Sequence, residues 1–380
     1  MKANKLFILG LLLSTLVFTN CDNKEEATTS NDEFSFGESV SRDFQGKIVD
    51  TNNNPLSNVE INMSGRTAST DSNGEFTLTN VNVRENFGYL TATKAGFING
   101  SRTVFPHEGM NKVTIMMLPN SVYATIPTGS ISEVTLPNST KVTFDGSFML
   151  LNGTTYNGNV KVVVNHLDAA DPYVFQKMPG NLIGTRTNGS TSGMETYGMI
   201  NVELRGSNNE KLQLTTGHTA NLSLPIAPNQ LDTAEESIPL WYFNETSGLW
   251  EEQGFSRKVG NRYIGNVTHF TWWNNDSAYV VATLNVVVTN VDTTPVNNVR
   301  ITITRQTGST GDVLMDLGFT GLNGRLSAGV PRNEVLIFRA YLPNGTLVST
   351  QTLPASNLLT RTVYVVIPVN DRMSNTGIKG

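Results

Sequence analysis

Few side chains in this sequence are of the types that carry out nucleophilic, acid–base or metal chemistry. The 380 residues include one cysteine, Cys21, and four histidines. A catalytic zinc usually takes three protein ligands, mostly histidine, and none of the four heads a His-x-x-Glu or His-Glu-x-x-His pattern. Residues 189–193 have threonine at their centre, so they are no Gly-x-Ser-x-Gly elbow. We therefore predict no metal, no cofactor and no enzyme activity, although two carboxylates suffice for a glycosidase and no pairing can be read here. The four histidines are His107, His166, His218 and His269.

The position of Cys21 predicts a lipid anchor. Residues 1–5 carry two lysines and residues 6–18 are apolar or small, a layout that is typical of a secretory signal and too short to span a membrane. Residues 18–21 resemble a bacterial lipobox, which implies cleavage before the cysteine and its lipidation. We predict a signal peptide over residues 1–20 and attachment to a membrane through a lipid on Cys21. The alternative is an ordinary secretory signal beside an unpaired cysteine.

The residues after Cys21 bear on the cellular location. Residues 22–26, Asp-Asn-Lys-Glu-Glu, resemble the acidic export signal of Bacteroidota lipoproteins, which implies the outer membrane and exposure at the cell surface. In enterobacteria an aspartate at this place implies retention at the inner membrane, so a periplasmic location is the alternative. Polar composition predicts a flexible acidic tether over residues 21–42. The net charge of −5 argues against nucleic acid as a partner.

Nearly every segment beyond residue 42 has the pattern of a β-strand. Residues 45–50 and 59–63 alternate between apolar and polar side chains and are bounded by Asn, Gly and Pro clusters. Residues 55–61, PLSNVEI, recur as residues 295–301, PVNNVRI, and each copy leads to a hairpin turn with Gly74 or Gly324. We predict an all-β fold of tandem antiparallel β-sandwich domains, transthyretin-like or immunoglobulin-like, on the N-terminal lipid-anchored tether.

Two resemblances to known families divide the folded part. The stretches GKIVD (46–50), PLSNV (55–59) and TDSNGEF (70–76) resemble the carboxypeptidase regulatory-like, transthyretin-like domain, which implies a non-catalytic sandwich over residues 43–119. The stretches YGMINVEL (197–204), IPLWYF (238–243) and GNVTHFTWWNND (265–276) resemble the region after a similar domain in cartilage intermediate layer protein and the FAM171 proteins, related to ZU5 domains. This resemblance implies an extracellular β-domain over residues 120–277. Residues 278–380 are predicted to repeat the first sandwich.

The ZU5 resemblance draws attention to His269, Phe270 and Thr271. Some ZU5 domains cleave themselves at His-Phe-Ser, where a hydroxyl attacks the preceding carbonyl and water opens the resulting ester. The resemblance implies Thr271 as nucleophile, Phe270 as carbonyl donor and His269 as base. The alternative is that residues 268–273 are a plain core strand.

Three further patterns have structural and functional interpretations. The aromatic residues near positions 241–250 and 272–273 suit either a sugar-stacking platform or a core, and we favour the core. Asp168, Asp171 and Asp276 suit either calcium or solvated turns, and we favour turns. Asp-Ser/Thr-small tripeptides resemble Bacteroidota O-glycosylation motifs. The glycosylation candidates are Thr233, Ser277 and Thr293.

These observations predict a non-enzymatic cell-envelope lipoprotein of Bacteroidota type. Its β-sandwich modules would bind or scaffold an envelope protein or polysaccharide. The alternative function is a self-processing protein that is cleaved between Phe270 and Thr271 by an N-to-O acyl shift.

Overall fold

The structure, a computed structural model, describes residues 34–306 and 312–368. Cys21, the predicted signal peptide and residues 21–33 of the predicted tether lie outside the described residues. Residues 39–42 of that predicted tether belong to the first strand, so its predicted end at residue 42 is wrong. Strands dominate the described part, and the prediction of an all-β sandwich fold is confirmed. Its two helical segments, Val174–Lys177 and the 3-10 turn Pro228–Gln230, are each a single turn, and no described helix has the length and apolarity to span a membrane.

The first seven strands form two sheets that share one core. One sheet has the order β4-β1-β7 and the other β3-β2-β5-β6, and the last strand lies parallel to the first. Buried side chains from both sheets, among them Phe44, Ile48, Ile61 and Leu90, pack together. The strands are β1 (Ser39–Val49), β2 (Glu60–Met63), β3 (Arg66–Ser69), β4 (Glu75–Arg84), β5 (Gly88–Thr93), β6 (Gly100–Val104) and β7 (Met110–Met116).

The central region is one branched assembly of fourteen strands. Its elements are β8 (Val122–Pro127), β9 (Ser132–Thr135), β10 (Lys141–Phe144), β11 (Phe148–Leu150), β12 (Thr155–Tyr156), β13 (Asn159–Leu167), α1 (Val174–Lys177), β14 (Ile183–Thr185), β15 (Thr191–Arg205), β16 (Lys211–Leu214), β17 (Ala220–Pro225), β18 (Ser237–Asn244), β19 (Leu249–Val259), β20 (Arg262–Val267) and β21 (Trp272–Tyr279). The longest path through it runs β12-β11-β16-β15-β21-β18-β19-β20-β17-β10-β9.

The last seven strands repeat the layout of the first seven. The sheets are β25-β22-β28 and β24-β23-β26-β27, again with the last strand parallel to the first. The strands are β22 (Val281–Asn290), β23 (Arg300–Gln306), β24 (Asp312–Phe319), β25 (Arg325–Pro331), β26 (Leu336–Tyr341), β27 (Leu347–Leu353) and β28 (Thr360–Ile367).

A buried threonine fastens the Pro-led turn of the first sandwich. The Thr70 side chain is 3% exposed. Its hydroxyl accepts a hydrogen bond from the Val59 backbone N–H at 2.9 Å and donates one to the Leu56 carbonyl at 2.6 Å. The two bonds satisfy backbone groups that the β2 ladder leaves unpaired.

The second sandwich repeats this arrangement. The Thr320 hydroxyl accepts from the Val299 N–H at 3.0 Å and donates to the Val296 carbonyl at 2.9 Å. Gly74 and Gly324 occupy equivalent turns at φ of 73° and 71°. A Cβ on either glycine would lie 2.3–2.4 Å from a backbone oxygen of the neighbouring strand, so both turns require glycine.

β15 is the longest described strand and is buried on both faces. Residues 192–202 are all buried, and the strand pairs with β13, β14, β16 and β21. Ile200 and Val202 point into the main core of the central region. Met194 and Met199 belong to a second core on the opposite face, which also contains Ile98 from the loop after β5. The second core therefore joins the first sandwich to the central region.

The predicted core role of the tryptophans is confirmed. All four are at most 2% exposed. Trp241, Trp250 and Trp272 belong to the second core. Trp273 belongs to the main core of the central region, with Ile200 and Val202. Because the large apolar surfaces of these rings are packed against other core side chains, no ring face is open for a sugar to stack on.

The two terminal sandwiches also contact each other and the central region. The Thr103 hydroxyl on β6 donates to the Gly248 carbonyl at 2.7 Å, and Phe105 forms a β-bridge with Ser327 on β25. The described residues belong to one compact unit.

An ion cluster ties the C-terminal sandwich to the central region. Arg305 on β23 donates to Glu334 at 2.5 and 2.9 Å and to Glu195 on β15 at 2.5 Å. Its guanidinium also lies over the ring of Tyr279, 5.5 Å from the centroid. Burial raises the pKa of Glu195, and Arg305 opposes that effect. An arginine shared by two carboxylates and an aromatic ring restricts the relative movement of these strands.

The expectation that Asp276 is a solvated turn residue is wrong. It lies within β21 and is 0% exposed. Asn274 Nδ2 donates to its carboxyl at 2.6 Å, and the other carboxyl oxygen has no partner among the described residues. Burial raises the pKa of Asp276 well above that of an exposed aspartate, because the charged form loses its hydration.

The threonine bonds generate the first prediction. We expect Thr70→Val to lower the free energy of unfolding by about 1–3 kcal/mol, since it leaves the buried Val59 N–H unpaired. Thr77→Val, at an exposed position of β4, is the matched control and should stay within about 0.5 kcal/mol of the parent. Urea unfolding measures both, and equal values for the two variants would show that the buried bonds contribute nothing.

Asp276 generates a pH-dependence prediction. Because its pKa is higher in the folded than in the unfolded chain, its stability contribution is complete below about pH 4 and is lost as the pH rises toward the folded pKa. We expect Asp276→Asn to be more stable than the parent at neutral pH, by at most about 1.4 kcal/mol per pH unit above 4. The advantage should disappear near pH 4.

The measurement is the melting temperature of both proteins between pH 4 and 8. Burial lowers the pKa of His166 to about 4, which destabilises parent and variant alike on acidification, so the difference between them isolates Asp276. Asp232→Asn, at an exposed aspartate, is the control. A difference that does not change with pH would contradict the prediction.

Candidate functional site

The His269, Phe270 and Thr271 segment lines a surface cleft of about 420 Å³. The cleft forms because two strands pair in turn with the same edge of β15. β21 pairs with it as far as Asn201, and β16 takes over at Leu204. Between these two points, at residues 202–203, no strand pairs with this edge of β15. Side chains of β15, β16 and β18 line the resulting gap.

The alternative prediction of a continuous strand over residues 268–273 is wrong. β20 ends at Val267, β21 begins at Trp272, and none of residues 268–271 belongs to a strand. The Gln213 side chain replaces a strand partner here: its Oε1 accepts from the Phe270 N–H and its Nε2 donates to the Phe270 carbonyl, both at 2.7 Å. The Phe270 ring turns into the core, 5.5 Å from the ring of Phe144. The Gln213 side-chain amide thus makes the two hydrogen bonds that a neighbouring strand would otherwise make with the Phe270 backbone.

The three residues of the motif are adjacent to the cleft, but they are not arranged as a nucleophile–base pair. The Thr271 hydroxyl donates to the Phe243 carbonyl at 3.2 Å. The His269 Nδ1 lies 3.4 Å from the hydroxyl of Thr268 instead. In the described part of the chain, no hydrogen bond joins His269 to Thr271, and that bond is the geometric mark of an activated hydroxyl.

Two other requirements of acyl transfer are met. Burial lowers the pKa of His269, so its imidazole is neutral at neutral pH and can accept a proton. The Gln213 Nε2 donates to the oxygen that would become negative if Thr271 attacked Phe270. The site thus holds a base and an oxyanion donor, while the hydroxyl is bound elsewhere.

Several polar side chains of the cleft are paired, but the buried Asn201 Oδ1 has no hydrogen-bond partner among the described residues. The Tyr242 hydroxyl donates to Glu251, and Asn244 Nδ2 donates to the same carboxylate at 2.6 Å. Burial, together with Glu251, raises the pKa of Tyr242 to about 12. Arg205 pairs with Glu203 at 2.8 Å. The walls therefore carry both signs of charge and no concentrated field of one sign.

The glycosylation candidates lie in three different settings, and none lines the cleft. Thr293 is exposed in a turn at φ 67°. Thr233 is half-buried, and its hydroxyl donates to the Gln230 carbonyl at 3.2 Å. Ser277 lies within β21, and its hydroxyl donates to Glu235 at 2.7 Å. Thr293 is the most accessible of the three.

Metal-ligating side chains do not converge in residues 34–306 and 312–368, where no three His, Cys, Asp or Glu residues form a group that could hold an ion. Asp171 pairs with Lys177 at 2.5 Å, and Asp168 accepts from the Ala170 N–H at 2.8 Å, as turn residues do. Sequence reasoning missed Gln213, which lies 57 positions before Phe270 and carries no motif of its own.

Comparisons with known proteins give partial matches. Over 156 residues the chain is 30% identical to human cartilage intermediate layer protein 2, which covers 40% of this chain and 13% of that protein. It is also 30% identical over 125 residues to pig cartilage intermediate layer protein 1, or 30% of this chain and 19% of the relative. The chain thus spans less than a fifth of the length of these relatives. No protein-family model matches it.

Solved structures resemble it only loosely. The TIE protein of Bacillus anthracis matches 86% of this chain and 50% of its own at 10% identity, with a TM-score of 0.20. The Bacillus cereus major pilin subunit BcpA matches 87% of this chain and 99% of its own at 8% identity, with a TM-score of 0.16. At these scores the likenesses carry no argument about function.

Proposed function

We propose that this chain is a non-enzymatic cell-envelope lipoprotein whose β-regions form one scaffolding body for an envelope protein or polysaccharide. The observation that carries the proposal is the mutual contact of all three regions. The first sandwich is hydrogen-bonded to the central region through Thr103 and forms a β-bridge to the last sandwich through Phe105. A body joined in this way holds its binding surfaces at fixed separations, unlike modules on flexible linkers.

The partial likeness to cartilage intermediate layer proteins supports a structural role outside the cell. The lipid on Cys21 would hold the body at the outer membrane, with its surface exposed to the medium. The cleft beside Phe270 supports a non-enzymatic role, because the Thr271 hydroxyl donates its hydrogen bond to the Phe243 carbonyl.

Anchoring is tested by Cys21→Ser in the native host. We expect the parent protein to be found in the outer-membrane fraction and to be degraded by protease added to intact cells. The variant should be absent from that fraction, because it lacks the thiol that carries the lipid. Thr19→Ser, two residues before the cysteine, is the matched control. Identical fractionation of Cys21→Ser and parent would refute the anchor.

The binding role is tested by a glycan array probed with the purified chain. A bound envelope polysaccharide would identify the scaffolded polymer. If no glycan binds, cross-linking in intact cells should yield a defined envelope protein. Absence of both would refute the scaffolding role.

Self-processing remains the second candidate, and one observation favours it. Gln213 Nε2 donates to the Phe270 carbonyl at 2.7 Å, the position that an oxyanion donor takes. In this reaction Thr271 Oγ1 would bond to the Phe270 carbonyl carbon while the Thr271 nitrogen leaves as an amine. Water would then hydrolyse the ester.

Intact mass under denaturing conditions distinguishes the two functions. Because Thr271 is hydrogen-bonded to Phe243 and not to His269, we expect a single chain that is uncut at position 271. A fragment beginning at Thr271 that is lost in Thr271→Ala and retained in the neighbouring control Thr268→Ala would establish self-processing instead.

A further inference from the structure

A second cavity, of about 280 Å³, lies where the three β-regions meet. β6 and β7 of the first sandwich, α1 and the loop that follows it, and β24 and β25 of the last sandwich line it. Its volume is near the lower end of the range for small-molecule sites. It shares no lining residue with the cleft beside Phe270.

The wall of this cavity contains a buried arginine that has no acidic partner among the described residues. Arg102 on β6 is 9% exposed. Its Nη1 donates to the Gly180 carbonyl at 3.0 Å, and its Nη2 has no hydrogen-bond partner among the described residues. Burial lowers the pKa of Arg102 to about 10, so the guanidinium keeps its charge at neutral pH. An uncompensated buried charge is costly, and an anion that pairs with it recovers that cost.

The other polar groups of the cavity do not neutralise Arg102. Asp316 is already bound by Arg300, whose Nε and Nη2 donate to it at 3.0 and 2.8 Å. Lys112 adds a second cation, and its Nζ donates to Asn298 at 3.3 Å. The wall therefore carries excess positive charge.

Apolar residues make up about half of the remaining lining, and the others are polar. The side chains of Phe105, Phe175, Met178 and Leu317 contribute to it. A ligand that suits these walls has one anionic end and a compact hydrocarbon body. Arg102, Lys112 and Asp316 give the lining a formal charge of +1, which matches a monoanion better than a phosphate dianion.

We propose that this cavity binds a small organic monocarboxylate with an aromatic or aliphatic body, and that the carboxylate pairs with the guanidinium of Arg102. Phe105 and Phe175 contact the body of the ligand. This inference does not depend on the scaffolding role, because a protein with either function in the envelope can carry the site.

The test is calorimetric titration of the full chain with 2-naphthoate, and with 2-naphthamide as its uncharged analogue. We expect one equivalent of the acid to bind, and the amide to bind at least about tenfold more weakly. Arg102→Met should weaken binding of the acid roughly ten- to hundredfold, the range for loss of a charge-assisted hydrogen bond. Arg66→Met, at an exposed arginine of β3, is the matched control and should bind as the parent does.

Either of two binding results on the parent chain would overturn the proposal. Equal binding of acid and amide would show that the cavity does not recognise the charge. Octanoate is titrated as well, as an acid with an aliphatic body, and absence of binding by both 2-naphthoate and octanoate would exclude monocarboxylates of both body types. Arg102→Met should fold, since it removes a buried charge that has no acidic partner among the described residues and keeps an apolar stem, at the loss of one hydrogen bond to the Gly180 carbonyl. Should it not fold, the comparison of acid with amide on the parent chain still decides.

Discussion

The structure depends on one constraint: β15 must bury its residues on both faces and both edges at once. Four strands satisfy its edges, and two separate cores cover its faces. The second core includes Ile98 from the first sandwich, and Glu195 on the same strand meets Arg305 from the last. Burial of a single strand therefore recruits all three regions of the chain, and this recruitment makes them one body.

The same strand creates the cleft. A strand of fifteen residues is too long for one partner, so β21 and β16 share its edge and leave a gap between them. The chain at the gap has unpaired backbone groups, and Gln213 satisfies them. The geometry that resembles an oxyanion site is thus accounted for by hydrogen-bond satisfaction alone. A motif at a sheet irregularity can look catalytic because such positions need side-chain donors for structural reasons.

Much of the fold could be predicted from the sequence because half-exposed strands alternate and tight turns need particular residues. Gly74 and Gly324 marked equivalent hairpins for that reason. β15 was not recognisable as a long strand, since a strand that is buried on both faces has no alternation. The chemistry of Gln213 and Arg102 was hidden as well. Each acts on a backbone group at least 57 positions away, and no local pattern records such a pairing.

The repeated sandwiches have a consequence for how the chain folds. Two regions with the same strand order and the same threonine bonds can exchange hairpins during folding, a common failure of repetitive proteins. The hairpins differ in length, however: β2 and β3 have four residues each, whereas β23 and β24 have seven and eight. An exchanged pair would leave several backbone groups of the longer strands without partners. The unequal hairpins therefore favour correct pairing energetically.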